Sequence, residues 1–325
     1  MSAFFPAQRA PASQPLGAQQ PPSRDPPPVR PGATSVAGGA GAAARAAIAA
    51  FVKARAGIVL GEDKGYMLDA RLGPLLRRHG LLGLDDLAAR LGGAPGGAAA
   101  EPLRREVVEA LTTNESFFFR DGRPFDHLRR VLPALAAGRA PGAPLRVWSA
   151  ACSTGQEAYS VAMVLDEIGP RLGGRRCEIL GTDLSGEVVA RAREGLYTQF
   201  EVQRGLPAAL LVRHFRPEGD GRWRIAAALR AAARFEVANL LEERAAARGV
   251  FDVVFCRNVL IYFDPPTKAR VLALVAERLA PDGVLYLGGA ETVLGLDAGR
   301  FAPVPGERGA YTLAAGARGT GREAA

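Results

Sequence analysis

From Pro144 onward the chain alternates short apolar runs with helix-length stretches, and no other feature restricts its fold so strongly. Leu145–Ala150, Glu178–Asp183, Phe235–Ala238, Phe251–Cys256 and Val284–Gly288 read as strands. Helical patterns fill Thr154–Ile168, Gly186–Glu194 and Pro266–Leu279. Strands joined in this way run parallel, because a crossover must carry the chain back before each new strand begins. The expected fold class is α/β: a doubly wound, mostly parallel sheet with helices on both faces. Such sheets bind ligands in the crevice outside the carboxyl ends of their strands. Functional residues should therefore stand just after strands. The alternation lapses between Tyr197 and Arg234. There His214-Phe215, the turn Gly219-Asp220-Gly221 and Arg222-Trp223-Arg224-Ile225 predict a small antiparallel β-subdomain inserted at about 197–233.

Ahead of the sheet the pattern is helical. Ile48, Phe51, Val52 and Arg55 share one face, and Tyr66, Leu68, Leu72, Leu75 and Leu76 form an apolar stripe. Two further helices fit Asp85–Leu91, stopped by Gly92-Gly93, and Pro102–Thr112, with proline in the first turn. Residues 36–110 are expected to form an all-α domain, joined to a sheet domain at 144–314 by a linker and lead-in helix at 111–143. The stretch Arg45–Arg78 holds seven Lys and Arg against three Asp and Glu, which fits a docking face and a plain solvated surface equally well. Residues 1–35 carry nine of the chain's 24 prolines. That segment and 315–325 are expected to be disordered.

Composition removes several classes of function. No apolar run nears the ~20 residues that span a bilayer, and Met1–Pro15 lacks the basic lead-in of a secretory signal. The three cysteines, Cys152, Cys177 and Cys256, lack CxxC spacing. This excludes a disulfide scaffold, gives no metal signature and fits a reducing, cytoplasmic compartment. A net charge of +8 permits an acidic partner without naming one.

Four segments carry candidate chemistry. Ala150-Ala151-Cys152-Ser153-Thr154-Gly155-Gln156-Glu157 turns the first strand into a helix whose free amides face a ligand. Its single glycine argues against a phosphate-cradling loop, and Thr154-x-x-Glu157 fits a capping box, the role that spacing favours for Glu157. Asp183 ends the second strand, where a carboxylate suits the hydroxyls of a ribose or simply caps the next turn. Its replacement by alanine should cost ligand binding and not the fold. Phe251–Cys256 is followed at once by Arg257 and Asn258, then Tyr262. Asp264-Pro265-Pro266-Thr267 superficially resembles the acid-Pro-Pro-aromatic motif of base methyltransferases, but it lacks the aromatic residue and reads as a helix start. Last, Thr112-Thr113-Asn114-Glu115-Ser116-Phe117-Phe118-Phe119-Arg120 crowds three phenylalanines among polar groups. Alone it would be a hydrophobic linker packed between domains.

In this order, and with Asn239-Leu240-Leu241, these segments resemble the chemotaxis receptor glutamate methyltransferases (the CheR family) over about Ser35–Leu313. The resemblance implies an N-terminal helical domain on an S-adenosylmethionine-dependent methyltransferase fold with an inserted β-subdomain. It implies transfer of a methyl group from S-adenosylmethionine to receptor glutamates, forming methyl esters for sensory adaptation. By position, Asn114, Ser116 and Arg120 correspond to linker contacts to the cofactor. Glu157 and Asp183 correspond to its carboxylate ligands, with Asp183 on the ribose. Asn239, Leu240, Arg257 and Asn258 would complete the pocket, and Tyr262, with Arg120, would stand at the transferred methyl. The resemblance thus moves Glu157 from cap to ligand. Ser116 replaces the usual Thr, Gly288-Gly289 lacks the His that commonly follows the first Gly, and Tyr311-Thr312-Leu313 lacks a basic finish.

The implied acceptor has a reference pKa of ~4.3, so it is already an anion near neutral pH. No general base is needed, and His79, His127 and His214 read as structural. The implied partner is the cytoplasmic domain of a chemotaxis receptor, met by a monomeric enzyme that reaches the membrane only through it. The basic face that includes Arg71, Arg77 and Arg78 is expected to dock the receptor's acidic methylation region. Nucleic acid is not expected as a partner. The segment Arg216–Arg222 is short and holds Pro217, which predicts an enzyme that does not tether to a receptor's C-terminal peptide. A nucleic-acid methyltransferase and a catalytically silent S-adenosylmethionine-binding scaffold are the alternatives. The missing aromatic after Pro266 argues against the first, and the retention of Arg120, Asp183, Asn258 and Tyr262 against the second.

Overall fold

The computed structural model describes residues 37–61, 65–92, 100–242, 249–297 and 299–317. Four helices lead, α1 (Ala37–Ala56), α2 (Gly65–Arg78), α3 (Leu84–Leu91) and α4 (Glu101–Leu111), then α5 (Arg123–Ala137) after the linker. The sheet begins with β1 (Leu145–Ala150), α6 (Gln156–Ile168), β2 (Cys177–Asp183) and α7 (Gly186–Glu194). The insertion comprises β3 (Leu196–Thr198), α8 (Gln199–Gln203), α9 (Ala208–His214), β4 (Phe215–Pro217), β5 (Arg222–Ile225) and α10 (Ala227–Ala232). The sheet resumes with β6 (Ala233–Val237), β7 (Phe251–Cys256), α11 (Pro265–Arg278), β8 (Leu279–Leu287), β9 (Phe301–Pro303) and β10 (Ala310–Leu313). Residues 1–35 lie outside the described residues. Of 315–325 only Ala315–Ala317 is described, as one short 3-10 turn.

The large sheet runs β6-β2-β1-β7-β8-β10-β9, parallel except for β10, which is antiparallel to both of its neighbours. The chain builds outward from β1 through β2 to β6, then restarts at β7 on the other side of β1. The switch point, and so the ligand crevice, lies where β1 and β7 end.

Side chains alternate across a strand, and here the alternation divides the interior into two cores. Val147, Val253, Phe255 and Tyr286 pack with α5, α6 and the insertion. Trp148, Val254, Cys256 and Leu285 pack on the other face with α11 and α1–α4. Ile48, Leu72, Leu87 and Val107 therefore share one core with Val271 and Val275 of α11. In α3, Leu84, Leu87 and Leu91 are buried at helical spacing. Where α1 ends, Ile58 bridges Phe263 and the Val59 N–H donates to the Tyr262 carbonyl at 2.8 Å. The helical unit thereby grips the loop after β7.

Several elements differ from the sequence reading, most of them by one or two residues at an end. α6 starts at Gln156 instead of Thr154, because Ser153 (φ 51°) and Gly155 (φ 91°) take left-handed backbone conformations. β8 begins at Leu279, not Val284. The insertion is a three-stranded sheet, β3-β5-β4. Its first strand is too short to leave a periodic signal.

Candidate active site

An open cleft of about 970 Å³ sits at the carboxyl ends of β1, β2 and β7. It gathers the ten candidate cofactor-binding and catalytic residues. Asn114, Ser116 and Arg120 come from the linker, Glu157 from α6 and Asp183 from the end of β2. Asn239 and Leu240 follow β6, and Arg257, Asn258 and Tyr262 follow β7. Ala56, Ile58 and Leu111 add a wall from the helical unit. Backbone strain is concentrated here. Among the described residues, six non-glycine positions have positive φ, and five of them (Phe119, Asp121, Ala151, Ser153 and Asn258) belong to the segments framing the cleft. Such conformations persist only where the surroundings over-determine them, and they cluster at functional sites.

Asp183 is 7% exposed. Its carboxylate accepts the backbone N–H of Ser153 at 2.8 Å and of Ser185 at 3.0 Å. Burial pushes its carboxyl above the ordinary range, against the pull of those amides. A carboxylate has about four acceptor sites, so capacity remains for a ligand. The side chain also moulds the turn after β1, so its loss would disturb the fold, contrary to the expectation from the sequence.

Glu157 is not a cap. Gly155 occupies the N-cap position with no side-chain cap, and the Thr154 hydroxyl bonds Gln156 instead. The Glu157 carboxylate accepts the Ser149 hydroxyl at 2.7 Å and Nη1 of Arg257 at 3.0 Å. Burial raises its pKa, and the Arg257 charge opposes the rise. The Arg257 side chain is 2% exposed and also donates to Asp121 at 2.6 Å and to the Arg120 carbonyl at 2.9 Å. Its guanidinium therefore ties the linker to the sheet.

Asn239 lines the cleft with its side chain already engaged. Its amide donates to the Arg55 carbonyl at 2.7 Å, and its oxygen accepts the Leu241 N–H at 3.0 Å. Ser153 donates its hydroxyl to the Asn114 carbonyl at 2.6 Å. The Arg120 guanidinium lies 5.3 Å from the Phe117 ring centroid and donates to the Glu115 carbonyl at 3.3 Å. Cys152 also lines the cleft, and burial holds its thiol neutral, well above the ordinary range.

Sequence reasoning missed Glu291. Its carboxylate accepts the N–H groups of Asn258 (2.7 Å), Val259 (3.0 Å), Leu260 (2.7 Å), Ile261 (3.3 Å) and Gly288 (2.6 Å). One side chain thus fixes the loop that presents Asn258 and Tyr262. Gly288 packs against the same groups, since a Cβ there would lie 2.6 Å from Asn258 Nδ2 and 2.7 Å from Glu291 Oε2 and would push both side chains aside. The acid is visible in Gly288-Gly289-Ala290-Glu291, but no spacing ties it to the loop after β7, about 30 residues earlier.

A switch-point cleft furnished with carboxylates, amides, a guanidinium and a phenol, and lined by no histidine, is suited to holding and orienting reactants. With this strand order, those features fit the class of S-adenosylmethionine-dependent methyltransferases. The family model described as CheR methyltransferase, SAM binding domain, matches residues 114–309, and that described as CheR methyltransferase, all-alpha domain, matches 44–112. The chain belongs to the CheR methyltransferase family, and its cofactor is S-adenosylmethionine. It is 42% identical to chemotaxis protein methyltransferase Cher2 of Pseudomonas putida over 76% of this chain and 89% of that one. Chemotaxis protein methyltransferase 1 of Pseudomonas aeruginosa is 42% identical over 75% and 88%. Among solved structures, the glycopeptide N-methyltransferase MtfA complexed with S-adenosyl-L-methionine matches at 18% identity, 54% of each chain and a TM-score of 0.29, too loose to bear on function. Among the described residues no helix is long and apolar enough to cross a membrane, and no His, Cys, Asp and Glu cluster is arranged to hold a metal ion.

Proposed function

We propose that the protein esterifies glutamate side chains of chemotaxis receptors, with S-adenosylmethionine as methyl donor. The observation that carries this reading is the convergence of ten residues, from five separate segments, on the switch-point cleft. When bound, S-adenosylmethionine would supply a methyl group activated on a sulfonium, whose sulfur leaves as the neutral thioether. The residues present fit that cofactor. Asp183 keeps free acceptor sites for ribose hydroxyls, Asn114 and Ser116 offer polar side chains from the linker, and the half-buried Glu157 would be an anionic partner for an ammonium. Arg120 and Tyr262 lie at the same cleft and would orient the acceptor carboxylate, which Arg120 also attracts by charge. That carboxylate needs no base, since its reference pKa is ~4.3. Holding the two reactants aligned and dry is worth up to ~7–11 kcal/mol of barrier.

The reading against nucleic acid gains support from Asp264. It accepts the Thr267 N–H at 3.0 Å as the cap of α11 and pairs with Lys53 at 2.8 Å, which holds its carboxyl down at about 2. The basic stretch of the helical unit contributes less than its composition promised. Arg45, Lys53, Arg55 and Arg78 are ion-paired, and Arg71 donates to the Thr112 carbonyl at 2.6 Å. Among the described basic residues of that stretch, Arg77 has no such partner. The test is methylation of a receptor cytoplasmic fragment with labelled cofactor. Label should follow the protein through nuclease treatment, fall to peptides with protease, and be lost when the fragment's acceptor glutamates are replaced by alanine. Label on a fragment without those glutamates would overturn the assignment.

A further inference from the structure

The linker that brings Asn114, Ser116 and Arg120 to the cleft has no regular structure of its own, and the insertion holds its middle. Phe118 is fully buried, edge-on to Tyr197 at 5.0 Å and to Phe215 at 5.5 Å, both aromatic residues of the insertion's strands. Arg204, just after α8, donates to the Glu115 carboxylate at 2.5 Å and lays its guanidinium 4.5 Å from the Phe117 ring centroid. Phe117 lines the cleft, and the same ring carries Arg120. The next residue, Gly205 (φ 80°), lies so close to the linker that a Cβ would sit 2.1 Å from the Phe118 carbonyl oxygen. No other side chain could approach in that way.

We propose that Arg204 is a positioning residue for the cofactor pocket: by pairing with Glu115 and stacking on Phe117 it fixes the linker and, through Phe117, the Arg120 guanidinium. The insertion is then part of the methyl-transfer machinery, whatever it binds on its outer surface. This rests on the cleft being the cofactor site. An exposed ion pair alone contributes little, but guanidinium stacking adds to it, and both act at Glu115 and Phe117, between the bond to Asn114 and the buried Phe118.

The experiment is calorimetric titration of the full chain with S-adenosylhomocysteine, the demethylated product, alongside thermal melting and methyl-transfer kinetics. Arg204→Ala should weaken affinity about 5- to 10-fold, with an unchanged melting temperature because the side chain is 41% exposed. The KM for S-adenosylmethionine should rise, and kcat should fall by a smaller factor because Arg120 loses its support. Arg204→Lys, which retains the charge and loses the flat stack, should fall between the two. Glu115→Gln added to Arg204→Ala should cost nothing further. Asn114→Ala separates the two claims. If it weakens affinity while Arg204→Ala stays within twofold of the parent, the positioning role is wrong and the pocket stands. If neither variant alters affinity, the pocket assignment fails and takes the proposal with it.

Discussion

The two sides of the cleft are built by opposite means. On one side, Asp183, Arg257 and Asn258 stand at the ends of central parallel strands, so the hydrogen-bond ladder that makes the sheet also places the chemistry. On the other, residues 112–121 are held by remote side chains. Arg71 grips the start, Ser153 and Arg204 the next residues, and Ser160 and Arg257 the end. The sheet side should resist change until one of its buried polar groups is removed. The linker side should lose function in small steps with little loss of stability.

The largest effect is expected on the sheet side. Glu291→Ala strands five backbone N–H groups at the loop after β7. Hydrogen bonds to charged groups contribute ~1.5–3 kcal/mol each, so a loss of at least ~3 kcal/mol of stability is expected by urea denaturation, with activity abolished. An unchanged midpoint would mean that the loop holds itself. Asp183→Ala comes next. Cofactor affinity should fall about 100-fold as two charge-assisted bonds are lost, and the melting temperature should drop too, because the Ser153 and Ser185 amides lose their acceptor.

Arg71→Ala belongs to the linker side. It should raise the KM for S-adenosylmethionine several-fold through Thr112, and by a similar factor with a short peptide acceptor as with intact receptor. A defect seen with intact receptor alone would return Arg71 to a docking role. Acid should act on the sheet side. The carboxyl groups of Asp183 and Glu157 are both raised, chiefly by burial. Ligand bonds that need their anions are present above those folded-state values and lost as pH falls through them. Affinity for S-adenosylhomocysteine should therefore decline at a pH above the ordinary carboxylate range of about 4. Affinity held level down to that pH would contradict it. The smallest effect is expected from peptides matching receptor C-termini. The turn at Glu218–Arg222 is short and internally bonded, with the Glu218 N–H donating to the Arg222 carbonyl at 2.9 Å. No saturable binding is expected, and micromolar binding lost on mutating Trp223 would reverse that.

The same contrast explains what could be read from the sequence. Strands β1, β2, β6 and β7 and the residues after them were legible because apolar runs and the polar groups that end them are local signals. Glu157 was misread as a cap until the resemblance intervened, since its partner, Arg257, is 100 residues away and the strained turn at Ser153–Gly155 delays the helix. Asn239 lines the cleft, but its hold on Arg55 spans the fold and leaves no local signal. The roles of Glu291, Arg204 and Gly205 depend on contacts that no spacing encodes, and β3, β9 and β10 are too short for a period to show.

The central claim is that this cleft transfers methyl groups to carboxylates, and the chemistry of the product tests it most directly. Receptor fragment labelled with methyl-tritiated S-adenosylmethionine should release volatile methanol in mild base, as a methyl ester must. Label that survives base on the protein would place the methyl group on nitrogen or sulfur and contradict the account.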